Sequence, residues 1–483
     1  MNRELKRVSI VVMLMFVALF SSTSIVQAFE ADNLSADPRN TRTLYDSYQV
    51  ERGAILVAGE PIAQSMPADD DFKFLRTYTN PELYAPITGY IPINGQPTGL
   101  ESALNPELTG TSNSQFFDKI SALVTGQDPK GAAVEVTIDP VAQQAAWDAL
   151  GDFTGSVVVT EPATGRILAM VSKPSFNPNL LTVHNNSEVT ATYEALLADD
   201  NDPLINRAIN SLNPPGSVFK LVVTTAALES GKYTPESTFP NLDVYTPPGT
   251  TSKISNSSNG TCGAGETVTL ATALRLSCNI PFAELGVELG DTAIRQTAEK
   301  FGFNSGFHIP MAVSPSKYPS DLDVPQTAQS AFGQYDVKVT PLQMAMVSSA
   351  IANGGVVMQP NLVQQILAPN LSSLETFQPA PLERAMSKET AATITAMMIN
   401  DVQDGAASNA RIDGVDVAGK TGTAQNGSTD PYTLWFTGFA PADDPQYAIT
   451  VLVEDGGGMG QTGYGNLLAA PVAQKVLEAV LNK

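Results

Sequence analysis

Short apolar runs separated by polar and turn-forming residues characterise positions 30–150 of the chain. The runs at residues 54–57 and 72–75 predict small strands. Gly and Pro between residues 126 and 131 predict a turn or linker. The Ala-rich periodicity of residues 140–150 predicts a short helix. Together these patterns predict a small, separate N-terminal domain that spans residues 30–150.

The pattern changes at Gly155 and predicts one larger α+β domain over residues 155–483. Two strands early in this domain, three late in it and mainly helical periodicity between them predict an antiparallel five-stranded sheet. The edges of that sheet would come from opposite ends of the domain. The predicted strands are residues 156–160, 166–171, 415–423, 434–440 and 447–454, and the predicted helices are residues 217–231, 341–353 and 467–481.

The first 29 residues have the pattern of a membrane anchor. Arg3, Lys6 and Arg7 precede an uncharged stretch over residues 8–28, which is long enough to span a bilayer. The positive flank predicts a cytoplasmic N-terminus and export of the rest of the chain. We favour a retained single-pass anchor. A cleaved signal peptide is the competing interpretation, because residues 26–28 resemble a signal-peptidase site.

The charge balance and the scarcity of histidine exclude several classes of function. Lys and Arg number 27 and Asp and Glu number 49 in 483 residues, which gives a net charge of −22. Such an acidic chain is a poor match for nucleic acid, which favours a basic patch. The two histidines, His184 and His308, lie near no carboxylate or cysteine cluster. The sequence therefore predicts no metal site, no cofactor and no Ser-His-Asp triad.

Cys262 and Cys278 are the only cysteines of the chain. Export would permit a disulfide between them. Cys278 lies between Ser277 and Asn279; if those two side chains face a cleft, the cysteine faces away and is free to bond. We expect the disulfide, and two reduced, buried thiols are the alternative. Residues 235–266, which precede Cys278, are rich in Pro, Ser, Thr, Gly and Asn and are predicted to form a loop.

Three short motifs follow one another along the larger domain. They are Ser217-Val218-Phe219-Lys220, Ser277-Cys278-Asn279 and Lys420-Thr421-Gly422-Thr423. Each motif alone is common, because a serine after Pro and Gly caps helices, Ser-x-Asn occurs in loops, and Lys-Thr-Gly ends strands. All three in this order predict a serine acyl-transfer site.

The residue types of the motifs match the chemistry of acyl transfer. Ser217 needs a base, and Lys220, three residues later on the same helix face, serves if its amine is neutral. Burial and a second cation, Lys420, would lower the pKa of Lys220. Ser277 can relay a proton, and Asn279 can hold Lys220 and a substrate amide by hydrogen bonds.

The third motif also predicts how a substrate is held. The backbone N–H groups of Ser217 and Thr423 could form an oxyanion hole. Lys420, Thr421 and Thr423, with Gly422 between the threonines, could bind a carboxylate on an otherwise acidic protein. The sequence therefore predicts a substrate with a free carboxylate near an acyl group.

These motifs resemble those of class B penicillin-binding proteins, the monofunctional transpeptidases. Residues 213–220, 277–279 and 420–424 match the three motifs of the family, and the resemblance is close over residues 155–483. It is looser over the N-terminal domain, where residues 52–55 and 99–101 resemble the pedestal motifs. The continuation after residue 55 departs from the family pattern, as does Tyr335 after Gln334. The short pedestal is most similar to the actinobacterial penicillin-binding protein A type.

The resemblance implies a fold, a reaction and partners. The fold is the penicillin-binding or serine β-lactamase-like transpeptidase domain, a five-stranded antiparallel sheet with flanking helices and an all-α region, beside a dimerisation-like pedestal. The reaction is D-Ala-D-Ala transpeptidation of peptidoglycan stem peptides through an acyl-enzyme on Ser217, in cell-wall synthesis during growth or division. β-Lactams would trap Ser217, and the resemblance implies a glycosyltransferase of the elongation or division machinery as a partner.

Three alternatives use the same motifs. A DD-carboxypeptidase would let water resolve the acyl-enzyme. A β-lactamase would need a residue that activates that water, and none is assigned. A membrane-tethered scaffold or β-lactam sensor would need no turnover, although the intact Ser217, Lys220, Ser277, Asn279 and Lys420 argue against a degenerate site.

Overall fold

The structure is a computed structural model that describes residues 2–26, 48, 50–112, 115, 130–257 and 260–483. Its N-terminal helix, Asn2–Ile25, includes one segment, Leu5–Ile25, that is long and apolar enough to cross a membrane. The signal-peptidase-like residues 27–28 and the predicted turn at residues 126–129 lie outside the described residues.

A five-stranded antiparallel sheet, here called the main sheet, forms the centre of the larger domain. Its strand order joins the two ends of that domain, because the last strand of the chain pairs with the first strand of the domain. The predicted class and strand arrangement are thus confirmed. In spatial order the strands are Ala418–Ala424, Thr433–Ala440, Tyr447–Val453, Gly155–Thr160 and Ile167–Lys173.

Helices cover both faces of the main sheet. Two of them, Pro140–Leu150 and Gly465–Leu481, pack on one face with the side chains of alternate strand positions. Pro341–Ala352 packs on the other face, under a mainly helical region. The sheet is therefore buried on both sides, which explains its nearly continuous apolar strands.

The helical region contains the segments that carry the first two sequence motifs, while the third lies on the strand Ala418–Ala424. Gly216–Phe219 is a 3₁₀ turn that continues directly into the helix Lys220–Glu229, so the predicted helix at Ser217 begins with a tighter turn. The remaining helices of this region are Leu270–Arg275, Ile280–Leu289, Asp291–Lys300, Val324–Ser330 and Lys388–Asp404.

A second, six-stranded sheet lies in the N-terminal domain, and it is not built from residues 30–150 alone. Its spatial order is Ser373–Thr376, Val363–Leu367, Ala133–Val136, Ile55–Val57, Glu60–Pro67 and Phe74–Tyr78. The strands Val363–Leu367 and Ser373–Thr376 come from the far side of the predicted boundary at residues 150–155. No sequence pattern indicated this contribution, because strand partners far apart in the chain leave no local signal.

The remaining elements are short. The helices are Pro81–Thr88, Gly99–Ala103, Asn105–Leu108, Asn186–Leu197 and Arg207–Asn210, with 3₁₀ turns at Pro178–Leu181, Ser408–Ala410, Asp455–Gly458 and Gly460–Thr462. Two strand pairs, Thr238–Pro240 with Thr267–Thr269 and Val244–Tyr245 with Ile254–Ser255, lie in and beside the predicted loop at residues 235–266. The other pairs are Phe307–His308 with Ala312–Val313 and Val356–Met358 with Pro381–Arg384.

A buried ionic cluster joins the elements of the N-terminal domain. The carboxylate of Glu101 accepts hydrogen bonds from the guanidinium groups of Arg52 and Arg76, and all three side chains are buried. Burial alone would raise the pKa of Glu101, but the charges of Arg76 and Arg52 outweigh burial and hold that pKa below its usual value. The two motifs that resembled pedestal motifs, at residues 52–55 and 99–101, therefore meet in one ion cluster.

We predict that Glu101→Gln destabilises the protein by about 3–5 kcal/mol, because it leaves two guanidinium groups buried without a counterion. Thermal unfolding of the full-length chain in detergent measures the effect. Lys317→Ala is the matched control, since it breaks the exposed Lys317–Asp336 pair and should cost no more than about 1 kcal/mol. Equal stability of Glu101→Gln and the wild type would contradict the prediction.

Candidate active site

The turn that carries Ser217 is fixed by hydrogen bonds from three directions. The amide of Gly216 donates to the carbonyl oxygen of Gly333 at 2.9 Å, and Asn213 exchanges backbone hydrogen bonds with Val339. The buried indole of Trp435 donates to the carbonyl oxygen of Pro214 at 2.9 Å. The segments around Gly333, Val339 and Trp435 thus hold this turn in place.

Two glycines allow the Ser217 turn to lie against the edge strand Ala418–Ala424. Gly216 has φ +53°, and a Cβ there would lie 2.8 Å from the carbonyl oxygen of Thr423. A Cβ on Gly422 would lie 2.8 Å from the carbonyl oxygen of Pro215. Both positions need glycine for close backbone approach. As a result, the backbone of Ser217 and that of Thr423 are close neighbours.

Lys220 is fully buried one turn after Ser217. Its Nζ donates to the backbone oxygen of Ser277 at 2.8 Å and to Oδ1 of Asn279 at 3.0 Å. Burial lowers the pKa of Lys220 well below its usual range, the positive charge of Lys420 lowers it further, and Asp401 opposes both. These conditions favour the neutral form of the amine.

The segment Ser277–Asn279 is held in an uncommon conformation. Ser277 has φ +59°, in the left-handed region that a serine seldom occupies. Asn256 fixes the following residues, because its Oδ1 accepts from the amides of Asn279 and Ile280 at 2.9 and 3.0 Å. The side-chain amide of Asn279 donates to the carbonyl oxygen of Ser255 at 3.1 Å. The second motif is therefore positioned by contacts with residues 255–256 as well as with Lys220.

Cys262 and Cys278 form a disulfide in this structure, with their Cα atoms 5.7 Å apart. The bond ties the loop before residue 262 to the middle of the second motif. Cys278 itself is buried, while its neighbours Ser277 and Asn279 are half-buried. The bonded cysteine is therefore buried between two neighbours that are partly exposed.

Lys420 lies on the edge strand and is fully buried against the helix Lys388–Asp404. Its Nζ is 3.2 Å from Oδ2 of Asp401, and it donates to the carbonyl oxygen of Thr421 at 3.2 Å. Burial lowers the pKa of Lys420, and the negative charge of Asp401 opposes that effect. Burial also raises the pKa of Asp401 to about 6, against the charge of Lys420.

The two threonines of the third motif have partners within the chain. The hydroxyl of Thr421 donates to the carbonyl oxygen of Ala406 at 2.8 Å, so its proton is engaged away from a substrate. The hydroxyl of Thr423 accepts from the amide of Gly465 at 3.1 Å, and among the described residues none accepts the proton of this hydroxyl. Of the two side chains, Thr423 is the better candidate donor to a carboxylate.

The structure brings Lys220, Ser277 and Asn279 into direct contact, and the charge of Lys420 acts on Lys220. Sequence reasoning missed Asp401 and Asn256, which contact these groups. Within the described part of the chain, no group of three His, Cys, Asp or Glu residues could hold a metal ion.

Comparison with known proteins shows the class to which this fold and site belong. Residues 155–478 match the penicillin-binding protein transpeptidase domain, and residues 52–134 match the penicillin-binding protein A dimerisation domain. The chain therefore belongs to the penicillin-binding protein transpeptidase family, as the sequence motifs predicted.

Individual relatives are similar over the whole chain. The peptidoglycan D,D-transpeptidase PbpA of Mycolicibacterium smegmatis is 41% identical, with 100% of both chains covered. The protein of the same name from Mycobacterium tuberculosis is 39% identical over 100% of this chain and 99% of that protein. The structure of penicillin-binding protein A from M. tuberculosis in a ceftriaxone acyl-enzyme complex matches with a TM-score of 0.87 and 38% identity, over 90% of this chain and 100% of that one. The predicted family type and fold are confirmed.

We predict that the disulfide stabilises the second motif and the loop that it is bonded to. Replacing both cysteines by serine should lower the free energy of unfolding by about 3 kcal/mol, the value expected for a closed loop of this size. Alkylation of the unfolded chain, followed by mass measurement, should show no free thiol before reduction and two after it. Two alkylated thiols without reductant would contradict the bond.

Proposed function

We propose that Ser217 is the nucleophile and Lys220 the general base of peptidoglycan D,D-transpeptidation by this chain. Family membership and the full-length similarity to two proteins named D,D-transpeptidase support the reaction. The hydrogen bonds of Lys220 are the main observation that supports its role as the base. A neutral amine has two N–H bonds and one lone pair; the acceptors at Ser277 and Asn279 take both N–H bonds, which leaves the lone pair to receive a proton.

In the acylation half-reaction, Oγ of Ser217 attacks the carbonyl carbon of the penultimate D-Ala while Lys220 takes the hydroxyl proton. The N–H groups of Ser217 and Thr423, neighbours because of the glycine contact at Gly216, stabilise the oxyanion. The C–N bond then breaks, the proton passes through Ser277 to the leaving amine, and free D-Ala departs. The product is an ester on Ser217.

In the second half-reaction, an amine of a neighbouring stem peptide attacks the ester. Its proton passes back through Lys220 to Ser217, and the new peptide bond cross-links two stems. Water in place of the amine would give the carboxypeptidase reaction with the same residues. The two reactions differ only in the acceptor, and no described contact favours water.

We assign the substrate carboxylate to Lys420 and Thr423. Lys420 supplies the charge, and the hydroxyl of Thr423 retains a proton to donate. The terminal D-Ala and a β-lactam such as benzylpenicillin both carry such a carboxylate. A β-lactam would therefore bind in the same orientation and acylate Ser217. Penicillin-binding protein A from M. tuberculosis forms an acyl-enzyme complex of this kind with ceftriaxone.

The chain is proposed to act outside the cytoplasm on a single N-terminal anchor. The helix Asn2–Ile25 is long and apolar enough for a span, its basic residues lie at the N-terminal side, and the disulfide fits an oxidising compartment. Because its matched domains are for transpeptidation and dimerisation, a glycosyltransferase would supply the polymerised strands that the chain cross-links.

Mass spectrometry of the full-length chain with benzylpenicillin tests the nucleophile. We expect one equivalent of adduct on Ser217 and none on Ser217→Ala. With a stem-peptide donor and an amine acceptor, we expect cross-linked product; release of D-Ala without it would favour the carboxypeptidase. A folded chain that forms no adduct would overturn the proposal in favour of the scaffold, and rapid hydrolysis of the drug would favour a β-lactamase.

Lys220→Arg tests the base, since arginine has a side chain of similar length but does not lose its proton. We expect the rate of acylation to fall by about 10²–10⁴. In the wild type, the acid-side fall of that rate should come as pH drops through the lowered pKa of Lys220, well below the 10.5 of an ordinary lysine. Lys317→Arg, on an exposed lysine, is the control and should change neither rate nor profile. Undiminished acylation of Lys220→Arg would rule out Lys220 as the base.

A further inference from the structure

Asp401 is a fully buried carboxylate that the proposed reaction does not use. It lies in the last turn of the helix Lys388–Asp404, on the side that packs against the edge strand Ala418–Ala424. Neither Asp401 nor its partner Lys420 has any exposed side-chain surface. Burying an ion pair costs desolvation energy that the pair's attraction seldom exceeds by much, so a buried pair beside an active site calls for a functional reason.

The charges around Asp401 come from two neighbouring elements. Lys420 lies on the edge strand at 3.2 Å, and Lys220, on the helix Lys220–Glu229, interacts with Asp401 electrostatically. Arg275, on the helix Leu270–Arg275, instead pairs with Asp404. The segments Pro341–Ala352 and Ser408–Ala410, which also pack near this helix, contain no charged residue.

We propose that Asp401 is a positioning residue, the buried counterion that keeps Lys420 protonated and fixed beside Lys220. The inference rests on the proposed roles of Lys220 and Lys420. Asp401 touches neither Ser217 nor the substrate in this scheme, and it acts mainly through Lys420, the group that it contacts. Without a counterion, a buried ammonium group would lose its proton at lower pH, because the low-polarity surroundings favour the neutral amine.

The charge of Lys420 has two uses that both depend on Asp401. It attracts the substrate carboxylate, which affects binding, and it lowers the pKa of Lys220, which affects the chemical step. Asp401 itself partly offsets the second effect, since its negative charge favours protonated Lys220. The Asp401–Lys420 ion pair therefore allows Lys220 to be neutral and Lys420 to be charged in the same pH range.

The sign of the pH effect follows from these charges. In the wild type, acylation needs neutral Lys220, so its rate falls at acid pH, which gives the acid limb of the pH–rate profile. Acylation also needs protonated Lys420, so its rate falls at high pH, which gives the alkaline limb. Removing the negative charge of Asp401 lowers the pKa of Lys420, so the alkaline limb moves to lower pH. A defect of folding alone would reduce the amount of active protein without moving the limb.

The test measures acylation of the full-length chain by benzylpenicillin across pH. It separates K, the dissociation constant of the noncovalent complex, from k2, the rate constant of acylation. For Asp401→Asn we expect the alkaline limb to move down by about one pH unit or more and K at neutral pH to rise at least about tenfold. Asp404→Asn is the matched control: it lies on the same helix, and its side chain is 91% exposed. That control should keep the wild-type profile.

Asp401→Glu retains the charge with one more methylene and should restore the position of the alkaline limb. If Asp401→Asn fails to fold, Asp401→Glu tests the inference instead. Its longer side chain should displace Lys420 and so raise K, while the alkaline limb stays at its wild-type pH. An unmoved limb in Asp401→Asn, or an unchanged K in Asp401→Glu, would overturn the inference. Failure of the proposed function would give different results from failure of this inference. If the proposed function is wrong, Lys420→Met leaves K unchanged or the wild type forms no adduct on Ser217.

Discussion

Two lysine amines, those of Lys220 and Lys420, are buried in one small region, and the arrangement of the cleft depends on keeping their protonation states different. Water would stabilise both as ammonium groups, so the fold must exclude it from both. Lys220 is given acceptors, the backbone oxygen of Ser277 and the amide oxygen of Asn279, that a neutral amine satisfies equally well. Lys420 is given a carboxylate. The same solvent exclusion thus produces a base at one position and a cation at the other.

Such a pair of environments requires elements from distant parts of the chain to be held rigidly. The Ser217 turn is fixed to Gly333 and Trp435, and the second motif is fixed to Asn256 and the disulfide. Glycines at the contact between the turn and the edge strand remove the side chains that would separate the backbones. The geometry is therefore set mainly by backbone contacts, which are less variable than side-chain rotamers.

Much of this architecture could be predicted from the sequence. Long segments with hydrophobic periodicity predicted the main sheet and the helices at residues 140–150, 341–352 and 465–481. Such segments are predictable because burial of one face fixes the spacing of apolar residues within each element. The left-handed conformation of Ser277 could not be predicted, since it results from tertiary contacts. A signal for Asp401 was present: it follows Ile394 and Met397 at helical spacing, so it occupies the buried stripe, where a carboxylate needs a counterion.

The six-stranded sheet makes the two domains depend on one another during synthesis. Gln365 pairs with Glu135 across 230 positions of sequence, so Ala133–Val136 has an unpaired edge until the ribosome has made most of the chain. Contacts of such long range form slowly, and an open strand edge is prone to mispairing. A chain exported in an extended form would present both strands together on the far side of the membrane. Translocation before folding would therefore suit this topology better than folding domain by domain.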